Sequence, residues 1–452
     1  MSATHVRARA ALVFAATLCA CASGGQQSHY DSLHARLERA ADEPRSSADA
    51  DPLGGSSVLE RRALVALVLD RNPGLEAQRA AARAALARWP QETALPDPIF
   101  GYDLRPRSLG SNEVDTAQDF ELSQSLPFPG KRALRGERAL AEADVAANEV
   151  DSERVQLAAL ASRLFDEYWL AERALESNAQ QLALIDDAHR IALSRYSTGR
   201  ASQQDILGVE TEQAMLAHRA IELGAERRIL AERINTLLHR PAALELPGAP
   251  RDLEPERALD LDDRALLTRA IENRPELRAR ESEVRAREAD VALARREFLP
   301  DFTLRAGYEG TWQEDPLKPV VGIQVNVPLQ LGRRRAALEE ADARLTREKN
   351  NLRKLEDRVR LEVASAAERL RESQHLLHIS RERLLPAARD RVAGARAAFA
   401  TGQVTFLELV DAERALRSAE QAELEARASL SVRTAELARA LGETPGSGEA
   451  QP

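Results

Sequence analysis

The sequence predicts a mostly α-helical protein with a β-barrel part, built from two copies of a unit that joins two strands to a long helical hairpin. Landmarks recur about 202 residues apart, which indicates the duplication. In each half, a pair of short alternating stretches precedes very long helical sequence. The composition agrees, because 30% of the 452 residues are charged and only 4% are aromatic, as is typical of coiled coils. The net charge of −9 does not suggest a nucleic-acid partner.

The duplication rests on landmarks that recur in the same order. Their spacings are 202, 201 and 203 residues, for the pairs Pro73 and Pro275, Pro127 and Pro328, and Gly199 and Gly402. A fixed period of this kind predicts two copies of one structural unit. We place the first copy at residues 58–240 and the second at 263–441. A proline-rich link at 241–262 joins them, and residues 442–452 are expected to be disordered.

The N-terminus is predicted to be a targeting segment. Basic residues precede a short apolar run that ends in Leu18-Cys-Ala-Cys21, which is the order of a signal peptide. This end resembles a bacterial lipoprotein box, which implies a signal peptide at 1–20 and a lipid on Cys21. Cys19 fits less well, because Leu18 would then precede the cut. An ordinary cleaved signal with an incidental cysteine is the alternative, and residues 21–57 are expected to form a tether.

The rest of the chain contains no cysteine, so it can hold neither a disulfide framework nor a cysteine metal site. It also has no apolar run of about 18 residues, so no transmembrane helix is predicted.

Four strands are predicted from alternating sequence, at about residues 98–106, 116–127, 300–309 and 319–328. Each has one apolar face and one small or polar face. Two small hairpins on a helical core would be the simplest interpretation, but an isolated two-stranded hairpin is marginal in water. Transmembrane strands of about 10 residues fit better, with the apolar face toward lipid. Since the smallest membrane barrels have roughly 8 strands, four strands would require oligomerisation, and a trimer would supply 12.

A helix of unusual length is predicted after each strand pair. The first runs from Lys131 to Arg195 and would be about 100 Å long at the standard rise. Apolar residues follow a 3.5-residue seam in both halves, which calls for coiled-coil partners. Pro386 should bend the second helix. Glycine turns followed by Ser or Thr caps predict hairpin tips at 196–204 and 399–406.

These motifs resemble the TolC-type outer-membrane efflux protein family over roughly residues 58–442. The resemblance is carried by Asn72-Pro73, Leu95-Pro-Asp-Pro98, Leu126-Pro-Phe-Pro-Gly-Lys131, Arg195-Tyr-Ser-Thr-Gly199, Leu384-Leu-Pro386 and Leu407-Glu-Leu-Val-Asp-Ala412. It implies a homotrimer with a 12-stranded barrel in the outer membrane and a long helical barrel that crosses the periplasm. The lipidated N-terminus resembles the branch that serves heavy-metal and drug pumps. The partners implied are a periplasmic adaptor, an inner-membrane pump and outer-membrane lipid.

The resemblance also implies rings of acidic residues just after the glycine turns. The matching positions are Asp205, Glu408 and Asp411, while Gly208 interrupts the pattern and Glu408 stands where an aspartate is more usual. Carboxylate rings around a narrow aqueous constriction select for cations. A solvated helix face or a helix cap is the alternative. The tips that would dock on the adaptor carry Tyr196, Gly199, Phe399 and Gly402.

No catalytic, cofactor or metal constellation stands out, so the chain is not expected to be an enzyme. Glu372-Ser-Gln-His375 and His378 carry ligand-type residues at helical spacing, but no second Glu-x-x-His supports a di-iron site. The favoured hypothesis is a passive outer-membrane exit duct for small molecules or metal ions. The main alternative is a periplasmic coiled-coil spacer or adaptor lipoprotein, and a weaker one is a periplasmic metal-binding helical protein.

Overall fold

The computed structural model describes residues 24–42, 53, 57–106, 109, 117–199, 202–253, 262–310, 312, 314–401 and 403–445. The predicted signal peptide at 1–20, the lipidation site Cys21, the tip residue Gly402 and most of the tail at 442–452 lie outside these residues.

The described residues form long helices and four strands. The helices are α1 Gly24–Asp42, α2 Arg61–Arg71, α3 Pro73–Leu86, α4 Arg88–Thr93, α5 Lys131–Ser197, α6 Gln203–Leu237, α7 Asp263–Asn273, α8 Pro275–Arg296, α9 Leu331–Ile379, α10 Leu385–Ala400 and α11 Phe406–Ala440. The strands are β1 Ile99–Leu104, β2 Gln118–Leu126, β3 Asp301–Glu309 and β4 Pro319–Asn326. Each lies inside a predicted strand. None of these helices is both long and apolar enough to cross a membrane.

The chain folds into two compact units, and each unit contains segments from both sequence copies. Residues 1–43, 78–150 and 276–355 belong to what we call the strand unit. Residues 44–77, 151–275 and 356–452 belong to the hairpin unit. The sequence copies are therefore not the compact units, because each copy gives its strands to one unit and its hairpin tip to the other.

The strand unit contains one antiparallel sheet in the order β1-β2-β3-β4. Its register aligns the apolar residues of all four strands on one face, as the pairs Tyr102↔Phe120, Phe120↔Tyr308 and Leu304↔Ile323 show. This face is open: Phe100, Val321 and Ile323 are 65%, 86% and 69% exposed. The strand alternation predicted from the sequence is thus present, with the apolar face outward.

The opposite face of the sheet is polar and charged. Arg105 pairs with Asp119 at 3.0 Å on neighbouring strand ends, and Arg305 pairs with Glu121 across β2 and β3. Lys131, the first residue of α5, lies where this helix meets the sheet and is only 1% exposed. Its Nζ lies 3.0 Å from Asp301, and Asp301 also accepts from the backbone N–H of Phe128 at 2.7 Å. This network fixes the start of α5 against the start of β3.

Helix α1 occupies part of the segment expected to be a tether. Leu33 and Leu37 are buried in a cluster with Leu86 and Trp89, and the ring of Tyr30 stacks on Trp89 with centroids 4.7 Å apart. Tyr30, Leu33 and Leu37 have the 3–4 spacing of an amphipathic helix. The tether prediction was wrong for these residues, because it weighed polar composition over that period.

The hairpin unit contains the tips of both helical hairpins, whereas the first part of each hairpin's leading helix belongs to the strand unit. The first hairpin consists of α5 and α6, and the second of α9 and α10 on one side with α11 on the other. A π-helical turn at Ser380–Leu384 separates α9 from α10 immediately before Pro386. Proline lacks the N–H that the regular helix needs, so the interruption lies where the sequence predicted a bend.

The link between the copies packs on α5. Tyr168 and Trp169 are fully buried, and they donate to the carbonyls of Pro247 at 3.3 Å and Pro250 at 3.0 Å. Burial, followed by the charge of Glu172, raises the pKa of Tyr168 to about 12. The tyrosine therefore stays a neutral donor at physiological pH.

The chain remains ordered just beyond α11. Gly442 has a φ of +77°, and a Cβ there would come within 2.8 Å of Arg274 Cα. Glu443 forms an ion pair with Arg269. A glycine in this left-handed conformation terminates a helix. The expectation of disorder from residue 442 was therefore wrong for residues 442–445, because the helix cap continues to pack.

Candidate functional site at the hairpin tips

The first tip is built by a glycine turn and a capping box. Gly199 has a φ of +70°, and its N–H donates to the carbonyl of Tyr196 at 3.0 Å. No atom lies within 4 Å of where a Cβ would stand, so the backbone conformation rather than crowding requires glycine. Ser202 then starts α6: its Oγ accepts from the N–H of Asp205 at 3.2 Å, and Asp205 accepts from the N–H of Ser202 at 2.8 Å.

The second tip repeats this construction with other residues. The N–H of Gln403 donates to the carbonyl of Ala398 at 2.9 Å, which closes the end of α10. Thr405 Oγ1 accepts from the N–H of Glu408 at 3.3 Å, and Glu408 accepts from the N–H of Thr405 at 2.7 Å. A reciprocal pair of this kind satisfies two backbone donors at a helix start.

Two of the three predicted aperture carboxylates are thus engaged as helix caps. Asp205 and Glu408 occupy equivalent positions in their hairpins, and each also accepts from the hydroxyl of its capping residue. Asp411 lies one turn further along α11, is 49% exposed and pairs with Arg414 at 3.2 Å. The capping alternative therefore applies to Asp205 and Glu408. A role of all three carboxylates in lining an aperture stays a prediction.

The two tips contact each other in the hairpin unit. The guanidinium carbon of Arg195 lies 4.0 Å from the centroid of the Phe399 ring, while Tyr196 is 48% exposed beside it. A cation over an aromatic face is attracted by the ring quadrupole. Behind this pair, a small apolar cluster joins the hairpins, with buried Ile185, Ala192, Val209, Leu216 and Val410. Phe399 thus has a structural role in addition to any role in docking.

A buried ion cluster ties the first hairpin to the second just behind the tips. The side chain of Glu212 on α6 is fully buried. Its carboxylate lies 2.7 Å from Arg414 Nη2 and 2.5 Å from Arg417 Nη2, both on α11. Burial opposes ionisation, but the hydrogen bonds from Arg414 and Arg417 outweigh it and hold the pKa of Glu212 below its ordinary value. The carboxylate is therefore charged at neutral pH.

Sequence reasoning missed Glu212, Arg414 and Arg417, although one signal was present. Glu212 lies three residues after Val209 and four before Leu216, which are both buried. A glutamate on an apolar stripe with this 3–4 spacing must find a positive partner when the stripe is buried. Only the packing of the hairpins shows that the partners lie on α11.

The other candidate chemistry receives no support from the geometry. His375 and His378 are both exposed. Among the residues that the structure describes, no group of three or more His, Cys, Asp or Glu could hold a metal ion.

The comparisons with known proteins agree with this architecture. Residues 266–443 match the family model of outer membrane efflux proteins, in agreement with the family resemblance found in the sequence. The chain is 25% identical over 385 residues to the probable outer membrane lipoprotein SilC of Salmonella typhimurium, covering 78% of each chain. It is 23% identical over 317 residues to the cobalt-zinc-cadmium resistance protein CzcC of Cupriavidus metallidurans, covering 68% of this chain and 72% of CzcC.

Among solved structures, the fold is similar to that of the outer-membrane channel OprN. The TM-score is 0.72 at 22% identity, over 89% of this chain and 95% of OprN. At this identity the likeness shows the fold.

Proposed function

We propose that this chain, which over residues 266–443 belongs to the outer membrane efflux protein family, is the exit channel of a tripartite efflux system. In that role three copies form one continuous duct through the outer membrane and into the periplasm. The duct is passive, and an inner-membrane pump supplies the energy. Its cargo is small molecules or metal ions, and the protein performs transport rather than catalysis.

The observation that carries this proposal is the four-stranded sheet with one apolar and one polar face. Its apolar face is open along all four strands, whereas Arg105, Asp119, Glu121 and Arg305 lie on or beside the polar face. In water such an apolar face is unfavourable, but in a membrane barrel it contacts lipid while the polar face lines the lumen. The outer strands β1 and β4 each have one neighbour. Three copies joined at these edges give 12 strands and leave no free edge.

The hairpin tips carry the residues proposed for the aperture and for docking. The exposed carboxylate of Asp411 and the cap carboxylates of Asp205 and Glu408 all follow a tip by less than three turns. In a trimer these groups form acidic rings that favour cations. The tips carry Tyr196, Gly199, Phe399 and Gly402 as the surface for a periplasmic adaptor.

Conductance in a planar bilayer tests both the duct and its acidic aperture. The parent protein is expected to give a small, cation-selective conductance, and the variant Glu408→Gln with Asp411→Asn should lose most of that selectivity. Glutamine can still accept the capping bond at position 408, so the start of α11 is retained. Glu425→Gln, on an exposed part of the same helix, is the control and should behave as the parent.

Each failure in the conductance test has its own meaning. If the variant conducts with the same selectivity as the parent, the aperture assignment is wrong but the protein is still a channel. Correctly folded protein that forms no channels and no heat-modifiable trimers would favour the periplasmic coiled-coil spacer.

We further propose that Cys21 carries the lipid that anchors the mature protein in the outer membrane. Cys21→Ser is expected to abolish incorporation of labelled palmitate and to leave an uncleaved or mislocalised precursor. Cys19→Ser is a matched control two residues away and should label as the parent does. Labelling that survives Cys21→Ser but is lost with Cys19→Ser would move the anchor to Cys19. A parent protein that takes up no labelled palmitate would contradict N-terminal lipidation.

A further inference from the structure

A surface where β4 leads into α9 combines exposed apolar residues with uncompensated arginines. We call it the β4–α9 patch and define it by Val327, Leu329, Leu331, Arg333 and Arg335. The three apolar side chains are 62%, 82% and 48% exposed, and both arginines are exposed as well. All five lie within the strand unit.

The charge at the start of α9 has the wrong sign for a helix N-terminus. The N-terminus of a helix carries partial positive charge and is stabilised by acidic residues. In α9 the first turn contains no acidic residue, and three consecutive arginines follow Gly332. A local rule broken in this way indicates a function that compensates for it.

The surrounding protein does not neutralise these arginines. Arg334 is used internally, since its Nε donates to the carbonyl of Glu297 at 2.7 Å. Arg333 and Arg335 have no hydrogen bond or ion pair within the part of the chain that the structure describes. Glu297 and Glu340 line the same groove as Arg333, but each is paired with another cation. Glu297 pairs with Lys131 at 3.4 Å, and Glu340 pairs with Arg344.

In the first copy of the repeat, the arginine at the equivalent position forms a hydrogen bond within the protein. Arg132 corresponds to Arg333, 201 residues later. Arg132 Nε donates to the carbonyl of Thr93 at 2.8 Å, and its neighbour Lys131 is buried against Asp301. The two copies have thus diverged at this junction. Only in the second copy does the basic helix start face outward.

The continuity of the surface indicates what covers it. Val321, Ile323 and Val325 are 86%, 69% and 44% exposed on β4, and the chain then passes directly into the patch. If the apolar face of β4 contacts lipid, the patch lies at the boundary of the membrane on the side from which the helices leave. This step rests on the proposed function.

We propose that the β4–α9 patch binds the headgroups of anionic phospholipids in the periplasmic leaflet of the outer membrane. Leu329 and Leu331 insert among the acyl chains, while Arg333 and Arg335 extend their stems along apolar surface and hold their guanidinium groups at phosphate depth. A guanidinium can donate two parallel hydrogen bonds to one phosphate. The bound phosphate also supplies the negative charge that the N-terminus of α9 lacks.

Native mass spectrometry of the delipidated full-length trimer in detergent tests this proposal. Phosphatidylglycerol is titrated against phosphatidylcholine of the same chain length, and bound lipids are counted. The parent is expected to prefer phosphatidylglycerol, and Arg333→Gln with Arg335→Gln should weaken that binding by roughly fivefold for each arginine. Arg228→Gln with Arg233→Gln, two exposed arginines on α6, is the charge-matched control and should leave the preference unchanged.

Three results would overturn the proposal. Equal retention of phosphatidylglycerol by the parent and the Arg333/Arg335 variant would show that the patch is not the lipid site. Full displacement of the lipid by millimolar inorganic phosphate would show an anion site that does not recognise lipid. Dissociation of the variant trimer in lipid-free detergent would show that the arginines contact a neighbouring protomer instead.

Bilayer conductance of the same samples separates this proposal from the proposed function. Parent protein that conducts but shows no lipid preference refutes the patch alone. Parent protein that neither conducts nor forms trimers refutes the channel on which the patch depends.

Discussion

Replacing Glu212 with glutamine is expected to destabilise the hairpin unit by about 3 kcal/mol and to raise the resting conductance of the channel. The carboxylate is fully buried and contacts both Arg414 and Arg417. Removing its charge leaves two guanidinium groups close together with only an amide between them. Breaking such a pair from one side is destabilising, because Arg414 and Arg417, which are only 38% and 26% exposed, lose the charge that compensated their partial burial.

The conductance is expected to rise because of where the cluster lies. It joins α6 of the first hairpin to α11 of the second, so the hairpins cannot separate behind their tips without exposing or unpairing Glu212. Urea unfolding followed by circular dichroism measures the stability, and single-channel recording measures the conductance. Glu210→Gln, an exposed neighbour on α6, should change neither. A Glu212→Gln variant as stable and as closed as the parent would show that the cluster does not hold the hairpins together.

The pH dependence of the Glu212 effect has a defined direction. Its pKa is held below the ordinary value of 4.5 in the folded protein, despite burial, by hydrogen bonds from Arg414 and Arg417. A lowered folded-state pKa means that this stabilisation is fully present above about pH 4.5 and is lost as the pH falls through the lower folded value. The stability difference between parent and Glu212→Gln should therefore be constant at neutral pH and shrink in acid. A difference that instead shrank toward alkaline pH would contradict this electrostatic origin.

The elements that the sequence predicted well are those whose period is strong and local. Phe302, Leu304 and Tyr308 alternate with polar residues, and β3 follows that alternation. The 3.5-residue apolar pattern after Lys131 predicted a long helix. The helix observed there ends at Ser197, two residues beyond the expected end. Both patterns can be recognised without knowing which distant segment packs against them. The spacing of apolar residues within one element is enough to define its apolar face.

The features that the sequence did not reveal depend on contacts between distant segments. Helix α1 has only a short apolar stripe, and its burial depends on Trp89, more than fifty residues away. Likewise, the partners of Glu212 lie some 200 residues later on α11. The Asp205 and Glu408 caps are a different case: Ser202 and Thr405 stand three residues earlier in the capping-box pattern. Because this pattern is local, a helix cap was already the predicted alternative to an aperture role at these positions.

Replacing Ile323 with arginine is expected to prevent assembly of the channel in the membrane, whereas the same substitution at Gln324 should be tolerated. Ile323 lies in the middle of β4 on the open apolar face, where it is 69% exposed and pairs with Leu304. Gln324 is the next residue and points to the opposite, polar face. An arginine on the lipid face near the membrane midplane costs about 2–4 kcal/mol per strand. In a trimer this cost is paid three times.

The comparison of these neighbours separates a membrane strand from a solvent-exposed one. Both variants add the same charge to the same edge strand, so they differ only in the face that receives it. The measurement is the fraction of heat-modifiable trimer in purified outer membranes. If β4 spans the membrane, Ile323→Arg should leave little trimer and Gln324→Arg nearly the parental amount. If the apolar face instead contacted water, Ile323→Arg would replace an exposed apolar group with a solvated one and would be the better tolerated of the two. Trimer retained by Ile323→Arg would therefore refute the membrane strand itself, and with it the barrel.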